Sequence, residues 1–318
     1  MAKVKERFEY AADTSGYVLA LKDSGLDTAT KQRMSTVAHV FQLIVTYLFL
    51  AVMGVIIVFP FYWMIITSLK SGNEIKQLVP TFFPQMIQWS NYSEAMQRLD
   101  FVKLLRNTLI VGIISTIGTI ITTILAAYAF ARLNFKGRDT MFMLLLGSMM
   151  IPGEMMVISN YVSVSRLGWT SNTNLIGNFA AMIVPFWVSI FYIYLLRQNF
   201  KQIPNELYLA AKVDGKSDWE FLWKVMVPLA MPTLTTIFIL KLMGAWNSYV
   251  WPNLIASGNK EIYLITNGLR TTFSSAENPN DYGVQMAATV VVTVPLLFLF
   301  IFFRKYIMRG VGRAGIKG

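Results

Sequence analysis

Cysteine is absent from this chain of 318 residues, and histidine occurs only once, as His39. Without cysteine the chain can hold no disulfide, thiol nucleophile, iron–sulfur cluster or cysteine-ligated zinc. One imidazole cannot build a histidine metal site, which needs several ligands. These absences exclude disulfide-stapled domains and metalloproteins that depend on cysteine or histidine ligands.

Charged residues are scarce as well. Only 14% of the residues are charged, against 55% that are hydrophobic, whereas a soluble domain carries about a quarter charged residues. The mean hydropathy is +0.49. This composition predicts a membrane protein and excludes a disordered or collagen-like chain. We interpret the net charge of +11 as basic loops facing an anionic membrane surface, with no nucleic-acid partner.

Six apolar stretches are long enough, or nearly so, to cross a membrane. A helix needs about 20 apolar residues to span a hydrocarbon core of roughly 30 Å. The sequence therefore predicts an all-α, polytopic membrane protein with six transmembrane helices. They fall at residues 40–67, 108–130, 140–162, 179–196, 226–246 and 285–303. Residues 1–31 are polar and mixed in charge, so we expect no cleavable signal peptide.

The distribution of basic residues predicts the orientation of these spans. Of the 28 Lys and Arg residues, 19 lie on the side of the N-terminus, 8 lie on the opposite side, and Lys241 lies within a span. Loops rich in Lys and Arg stay in the cytoplasm. We therefore expect both termini to be cytoplasmic, together with the inner segment 197–225.

The inner segment 197–225 predicts two short helices that meet at a glycine. Pro204 suits the first turn of a helix, and Gly215 suits the left-handed position that ends one. Ser217 and Glu220 then have the spacing of a capping box. One face of the first helix consists mainly of small residues, which allow another surface to approach closely. Its members are Leu207, Ala210, Ala211 and Asp214.

Residues 197–234, RQNFKQIPNELYLAAKVDGKSDWEFLWKVMVPLAMPTL, resemble the cytoplasmic "EAA" loop of bacterial ABC importer permeases. The residues in register with that pattern are Pro204, Glu206, Ala210, Ala211, Asp214, Gly215, Phe221, Pro228 and Pro232. Residues 107–152, with AAYAFARLNFKGRD, are similar to the family's second and third spans. Trp246-Asn247, Pro252 and the final GIKG are similar to the carbohydrate-uptake branch, in particular the maltose-type second permease. The resemblance covers about residues 38–318.

This resemblance implies a maltose-type, MetI-like permease domain over 38–318, preceded by a cytoplasmic extension over 1–37. It implies that the chain forms one half of the translocation pathway of an ATP-driven carbohydrate importer in the bacterial cytoplasmic membrane. An oligosaccharide is the favoured cargo. The implied partners are a different permease subunit as heterodimer mate, two copies of an ATP-binding subunit, an extracytoplasmic solute-binding protein and the lipid bilayer. ATP and Mg would be held by the ATP-binding partner, so we expect no cofactor in this chain.

The resemblance also implies that loop 197–225 couples the permease to the ATP-binding subunit. The residues expected to carry the coupling are Glu206, Ala210, Ala211, Asp214 and Gly215. One residue departs from the family pattern, because Leu209 stands where a glutamate is common, whereas Glu206 is kept. We expect this departure to change the strength of docking or to select a particular ATPase. The alternative is a surface helical hairpin without a partner.

The chain lacks the phosphate-binding pattern GxxxxGK[ST], so we expect it not to hydrolyse ATP and not to be an enzyme. The letters GVGRAG at 310–315 satisfy GxGxxG. No strand precedes them and only three residues follow, so they do not have the context of a dinucleotide site.

Two ionisable residues within spans are candidates for the substrate pathway, because charge in a membrane is costly and therefore usually functional. Glu154 follows the break expected at Pro152-Gly153, and Lys241 lies in the fifth span at a similar depth. The competing interpretation is that the two neutralise each other, or that Lys241 reaches the outer interface along its stem.

Asn247 and Tyr249 are further pathway candidates, because they lie among aromatic residues where the fifth span ends. Together with Trp246 and Trp251 they are typical of a platform on which a sugar stacks. The alternative, which we favour for the aromatic residues, is the ordinary aromatic belt at a membrane interface.

Two other function classes compete with the importer interpretation. A gradient-driven secondary transporter or channel would act without an ATPase, but the inverted repeats often found in such proteins are not evident. A membrane-embedded enzyme is disfavoured because the spans contain no acid pair, Ser/His combination or metal cluster.

Overall fold

The computed structural model describes residues 28–273 and 281–312, and side chains within 39–273 and 281–305. Most of the N-terminal extension and the final GIKG therefore lie outside the described residues. Regular structure within these ranges is helical throughout, which confirms the all-α prediction.

The chain forms its α-helices in the following order. The first eight are α1 Thr28–Ser68, α2 Gly72–Ile75, α3 Ser90–Arg98, α4 Phe101–Arg132, α5 Arg138–Ser148, α6 Val157–Arg166, α7 Leu175–Ile183 and α8 Ile190–Gln202. They are followed by α9 Asn205–Val213, α10 Asp218–Phe221, α11 Val227–Leu229, α12 Met231–Trp246, α13 Val250–Ala256, α14 Ile265–Phe273 and α15 Asp281–Gly312. Single 3₁₀ turns occur at Gly153–Met156, Val184–Phe186 and Lys260–Ile262, and a π-helical turn at Leu222–Met226.

The chain divides into two compact units, residues 1–64 and residues 65–318. The described part of the first unit is residues 28–64 of the helix α1, which contain Pro60 and a stacked pair of rings, Phe59 and Trp63, with centroids 5.9 Å apart. All the other helices belong to the second unit.

Among the described residues, three helices are long and apolar enough to cross a membrane without interruption: His39–Ser68, Phe101–Arg132 and Asp281–Lys305. Three further pairs of helices meet the same criterion together but are bent. The bends measure 89° between Arg138–Ser148 and Gly153–Arg166, 47° between Leu175–Phe186 and Ile190–Gln202, and 76° between Asp218–Leu229 and Met231–Trp246. The six predicted stretches are thus present, but the third, fourth and fifth are not straight helices.

Proline explains where these three bends occur. Pro152, Pro185 and the pair Pro228 and Pro232 lie at or beside the breaks. A proline lacks the backbone N–H and its ring clashes with the preceding turn, so it interrupts a helix. The break expected at Pro152-Gly153 is confirmed.

The central helix of the second unit is α4, which packs against α8 and α12, while α12 packs against α15. A stripe of small residues on α4 allows this close packing: Thr108, Gly112, Ser115, Thr116, Thr119 and Thr123, all of them buried. Such stripes are typical of helix contacts in membranes, where backbones approach closely. At Gly112 an added Cβ would lie 2.9 Å from Cδ1 of Leu242 on α12.

Candidate functional site

Loop 197–225 contains α9 and α10, joined at Gly215 with φ +71°. The amide of Lys216 donates to the carbonyl of Ala211 over 2.9 Å, and the amide of Gly215 donates to that of Lys212 over 3.1 Å. These two bonds satisfy carbonyls at the end of α9, as expected of a helix that ends in a left-handed residue. The prediction that Gly215 ends the helix in a left-handed conformation is confirmed. Pro204 lies one residue outside the predicted first turn, at the N-cap of α9.

The predicted capping box at the start of α10 is also present. The hydroxyl of Ser217 accepts from the amide of Glu220 over 3.2 Å, and the Glu220 carboxylate accepts from the amide of Ser217 over 3.3 Å. Lys224 donates to the same carboxylate over 2.8 Å. Both ends of the glycine turn are therefore fixed by local hydrogen bonds, which makes the loop a defined structure.

The loop leaves one face of α9 accessible. Glu206, Leu209 and Ala210 are exposed, and Val213 is 88% exposed. Asp214 and Gly215 are exposed at the corner, whereas Ala211 is half-buried against the core beneath the loop. Five residues expected to carry the coupling thus lie in one short segment, and four of them are exposed.

Beneath the loop lies an apolar cluster that joins it to the spans. Phe221 and Leu222 from the loop pack with Phe200 of α8 and with Ala127 and Tyr128 of α4, all of them buried. These packed side chains connect the loop directly to the C-terminal half of α4.

The Asp218 carboxylate is a polar connection between the loop and α4 that the sequence did not reveal. Its Oδ1 accepts from the hydroxyl of Tyr128 on α4 over 3.2 Å and from that of Tyr208 on α9 over 2.9 Å. The ammonium of Lys212 lies 3.1 Å away. The hydrogen bond to Asp218 raises the pKa of Lys212, while burial and the same carboxylate raise the pKa of Tyr208. Both of these donors therefore stay protonated at neutral pH.

Arg132, at the end of α4, makes a second connection to the loop. Its guanidinium donates to the carbonyl of Phe200 over 3.0 Å, to the carbonyl of Ile203, and to the side chain of Asn205 over 3.3 Å. In the sequence, Arg132 is only one of the 19 basic residues on the side of the N-terminus. Since Arg is permanently charged and donates in several directions, it fixes the chain where α8 leads into α9.

The four candidate pathway residues are not brought together as one site. Glu154 is exposed at the 3₁₀ turn that follows the 89° bend, and Asn247 is exposed at the end of α12. The equal depth expected for Glu154 and Lys241 assumed straight helices, so the bends of 89° and 76° remove the basis for that comparison. Within the described residues Glu154 forms no ion pair with Lys241.

Lys241 contacts the break of the fourth span and forms no ion pair with Glu154 among the described residues. Its ammonium donates to the carbonyl of Phe186 over 3.0 Å and lies 5.8 Å from the centre of the Phe186 ring. It lines a cavity of about 350 Å³ bounded by α4, α8, α12 and α13. The expectation of mutual neutralisation with Glu154 is therefore wrong.

The aromatic residues after the fifth span are core residues. Trp246 and Trp251 are each 5% exposed, within one cluster with Ile255 and Ile262. The indole of Trp251 donates to the carbonyl of Ala181 over 3.1 Å. Neither the interfacial belt nor an open platform describes these two tryptophans. Tyr249 is half-buried, with the Arg270 guanidinium 4.6 Å from the centre of its ring.

Comparison with known proteins identifies the family. The family model described as "Binding-protein-dependent transport system inner membrane component" matches residues 119–313. The inner membrane ABC transporter permease protein YcjP of Escherichia coli (strain K12) is 30% identical over 272 residues, which cover 85% of this chain and 94% of that protein. The arabinooligosaccharides transport system permease protein AraQ of Bacillus subtilis (strain 168) is 28% identical over 274 residues, with coverages of 85% and 94%.

A solved structure shares the fold. It is described as a bacterial ABC transporter involved in the import of the acidic polysaccharide alginate, and one of its chains superposes with a TM-score of 0.73 at 24% identity. The match covers 84% of this chain and 96% of the other. This chain belongs to the family of binding-protein-dependent transport system inner membrane components, as a multi-pass permease that acts with partner subunits.

Proposed function

We propose that this chain forms half of the translocation pathway of an ATP-driven carbohydrate importer and couples to a separate ATP-binding subunit through loop 197–225. The observation that carries the proposal is the link between the exposed face of α9 and the membrane span α4. That link consists of Asp218, Arg132 and the apolar cluster beneath the loop.

The proposed cargo class rests on the relatives. Several are named for the transport of saccharides: arabinooligosaccharides, diacetylchitobiose and lactose. Another is named for sn-glycerol-3-phosphate. The compounds in all these names carry several hydroxyl groups. We therefore propose a carbohydrate as the cargo class, with an oligosaccharide favoured.

The proposed assembly contains this chain, a different permease as its mate, two ATP-binding subunits that hold ATP and Mg, and an extracytoplasmic binding protein. In this arrangement both termini and loop 197–225 face the cytoplasm. The name of the family supports the binding protein, and the excess of inner basic residues supports the orientation.

The proposed mechanism is alternating access. Closure of the two ATP-binding subunits around ATP would move loop 197–225, and the loop would carry α4 with it. Coupling requires that ATP and the loaded binding protein both favour the same global state, here the outward-facing one. Lys241, Glu154, Asn247 and Tyr249 are the pathway residues we propose; Lys241 has the strongest support because it lines a cavity.

The test is to purify the tagged chain from its native membrane in mild detergent and to identify its stoichiometric companions by mass. ATP hydrolysis is then assayed on the purified complex, and uptake is assayed on proteoliposomes made from it. The proposal predicts a second permease and an ATPase, with ATPase recovery lost when residues 204–224 are replaced by a flexible linker. Recovery of the chain alone, with uptake that needs no ATP, would favour the secondary transporter or channel instead.

A further inference from the structure

We propose that the cavity beside Lys241 binds the anionic group of a charged saccharide, either a uronate carboxylate or a sugar phosphate. The assignment rests on the proposed carbohydrate import and narrows the cargo of that function. It makes Lys241 a specificity-determining residue within the pathway.

The cavity lies beside the break of the fourth predicted span and against α12 of the fifth. Counted from Met231, Lys241 lies roughly 15 Å along α12, about half of a hydrocarbon core of roughly 30 Å. Residues on the wall include Ser115 of α4, Ser189 and Tyr192 around the start of α8, and Ser248 after α12. Its volume of about 350 Å³ is at the lower end of the range for small-ligand sites, roughly 300–1,000 Å³. The cavity therefore suits one charged sugar unit and not a whole oligosaccharide.

The charge of Lys241 is not explained by the contacts it makes. The carbonyl of Phe186, freed by the break, accepts from Lys241 over 3.0 Å and also from the hydroxyl of Thr119 over 3.0 Å. Thr119 alone would thus satisfy that carbonyl. Among the residues that the structure describes, no Asp or Glu forms an ion pair with Lys241. An ammonium has three donors, so two remain for a ligand.

An uncompensated ammonium at this depth is costly to the protein, and an anionic ligand offsets the cost. Hydrogen bonds between an ammonium and a carboxylate or phosphate are among the strong ones, because both partners are charged. A neutral sugar would leave the charge unpaired and would therefore bind more weakly.

The remaining wall suits a sugar ring. Ser189 and Ser248 are half-buried on this wall, and their hydroxyls donate to no group in the part of the chain that the structure describes, so they are free to bond sugar hydroxyls. Phe191 also lies on the wall, next to Tyr192, and their rings meet edge to face with centroids 5.4 Å apart. Aromatic rings of this kind supply apolar contact to the C–H faces of a sugar.

The absence of cysteine makes a direct test possible, because Ser189→Cys introduces the chain's only thiol on the cavity wall. In the assembled importer, the rate at which a neutral fluorescent maleimide labels that thiol is measured with added digalacturonate, glucose 6-phosphate or lactose. The unsubstituted complex treated in parallel gives the labelling of partner subunits. The proposal predicts that an anionic sugar slows labelling and that lactose at the same concentration does not. Digalacturonate and glucose 6-phosphate distinguish a carboxylate from a phosphate.

The charge is then removed in the same background. With Lys241→Met the concentration of anionic sugar that gives half protection should rise about tenfold or more, since a charge-assisted hydrogen bond is lost. Lys241→Arg should retain protection, and Lys136→Met, a substitution at an exposed lysine, should leave it unchanged.

Equal protection by lactose, protection that survives Lys241→Met, or no protection by either anionic sugar would overturn the assignment. The comparison of sugars needs no change at Lys241, so the result does not depend on how that variant folds. ATP-dependent uptake and co-purification of the ATPase are measured separately, and failure here would leave the importer function intact.

Discussion

Asp218 accepts hydrogen bonds from Tyr208 of the loop and from Tyr128 of α4. The connection between the loop and α4 therefore depends most on this residue. Tyr128 is buried, and Asp218 is the only acceptor that its hydroxyl has among the residues that the structure describes. The cost of leaving such a group unpaired is about 1–3 kcal/mol.

We therefore expect Asp218→Ala to leave the complex assembled but to lower the uptake obtained per ATP hydrolysed. The reason is that α9 and α10 lose the link through Asp218 and keep only the polar link through Arg132. Uptake and ATPase activity measured on the same proteoliposomes give this ratio. Glu220→Ala is the matched control, because it removes the capping box and the contact with Lys224 but not the link to α4. Equal ratios for the two variants would contradict the role given to Asp218.

Gly215 tests the loop corner through the backbone. A Cβ there would meet no atom within 4 Å, so a substitution acts through the positive φ alone. For a residue other than glycine that conformation costs roughly 1–2 kcal/mol. Gly215→Val should therefore abolish or strongly reduce coupled uptake while the chain remains in the membrane.

The control for Gly215 is Gly137→Val. Gly137 has φ +79° and equally open surroundings, but it precedes α5 and lies outside the loop. Both variants should lose similar thermal stability in detergent, whereas only Gly215→Val should uncouple ATP hydrolysis from uptake. Normal uptake by Gly215→Val, measured with labelled sugar, would show that the corner geometry does not matter for coupling.

The contacts between elements depend on close approach of helices. At Gly118 of α4 an added Cβ would overlap the indole of Trp187, in the break of the fourth span. Overpacking of this kind costs about 1–3 kcal/mol. Gly118→Ala should lower the midpoint of thermal unfolding in detergent, whereas Gly147→Ala, with open space around it, should not. Unchanged stability of Gly118→Ala would mean that the broken span does not pack on α4 as described.

The local features of the loop and the breaks could be predicted from the sequence. Gly215, the Ser217–Glu220 capping box and the break after Pro152 each depend on residues at most a few positions apart. Backbone sterics and short-range hydrogen bonds decide such features. The six apolar stretches could be located for another local reason, since the length and hydropathy of each are read directly from neighbouring residues.

The contacts between distant parts of the chain could not be predicted. Tyr128 and Asp218 are 90 positions apart, and Lys241 and Phe186 are 55 apart. Trp246 and Trp251 were misassigned because hydrophobicity alone does not distinguish a side chain that faces lipid from one that packs in the protein. The angles of the bends likewise depend on packing and not on the prolines alone.

At the scale of the whole molecule, the orientation in the membrane is directly testable. The chain contains no cysteine, so a single introduced cysteine is its only thiol. Reaction of that thiol with a membrane-impermeant maleimide in intact spheroplasts shows that it lies on the outer side of the membrane. Thr173→Cys and Lys260→Cys should react, because both residues are exposed in outward segments. Lys136→Cys, exposed in an inward segment, should react only after the membrane is broken. The reverse pattern would contradict the predicted orientation.

The central claim is that loop 197–225 docks on an ATP-binding subunit, and cross-linking from Val213 tests it most directly. This side chain is 88% exposed on α9, so Val213→Cys leaves the packing intact and places the only thiol of the chain on the proposed docking face. Membranes that contain the assembled importer are treated with a short thiol-to-amine cross-linker, and the products are identified by mass. Lys260→Cys, in an outward segment, is the matched control. We predict a product with the ATP-binding subunit from Val213→Cys and none from Lys260→Cys; no such product from Val213→Cys, or equal products from both, would contradict the account.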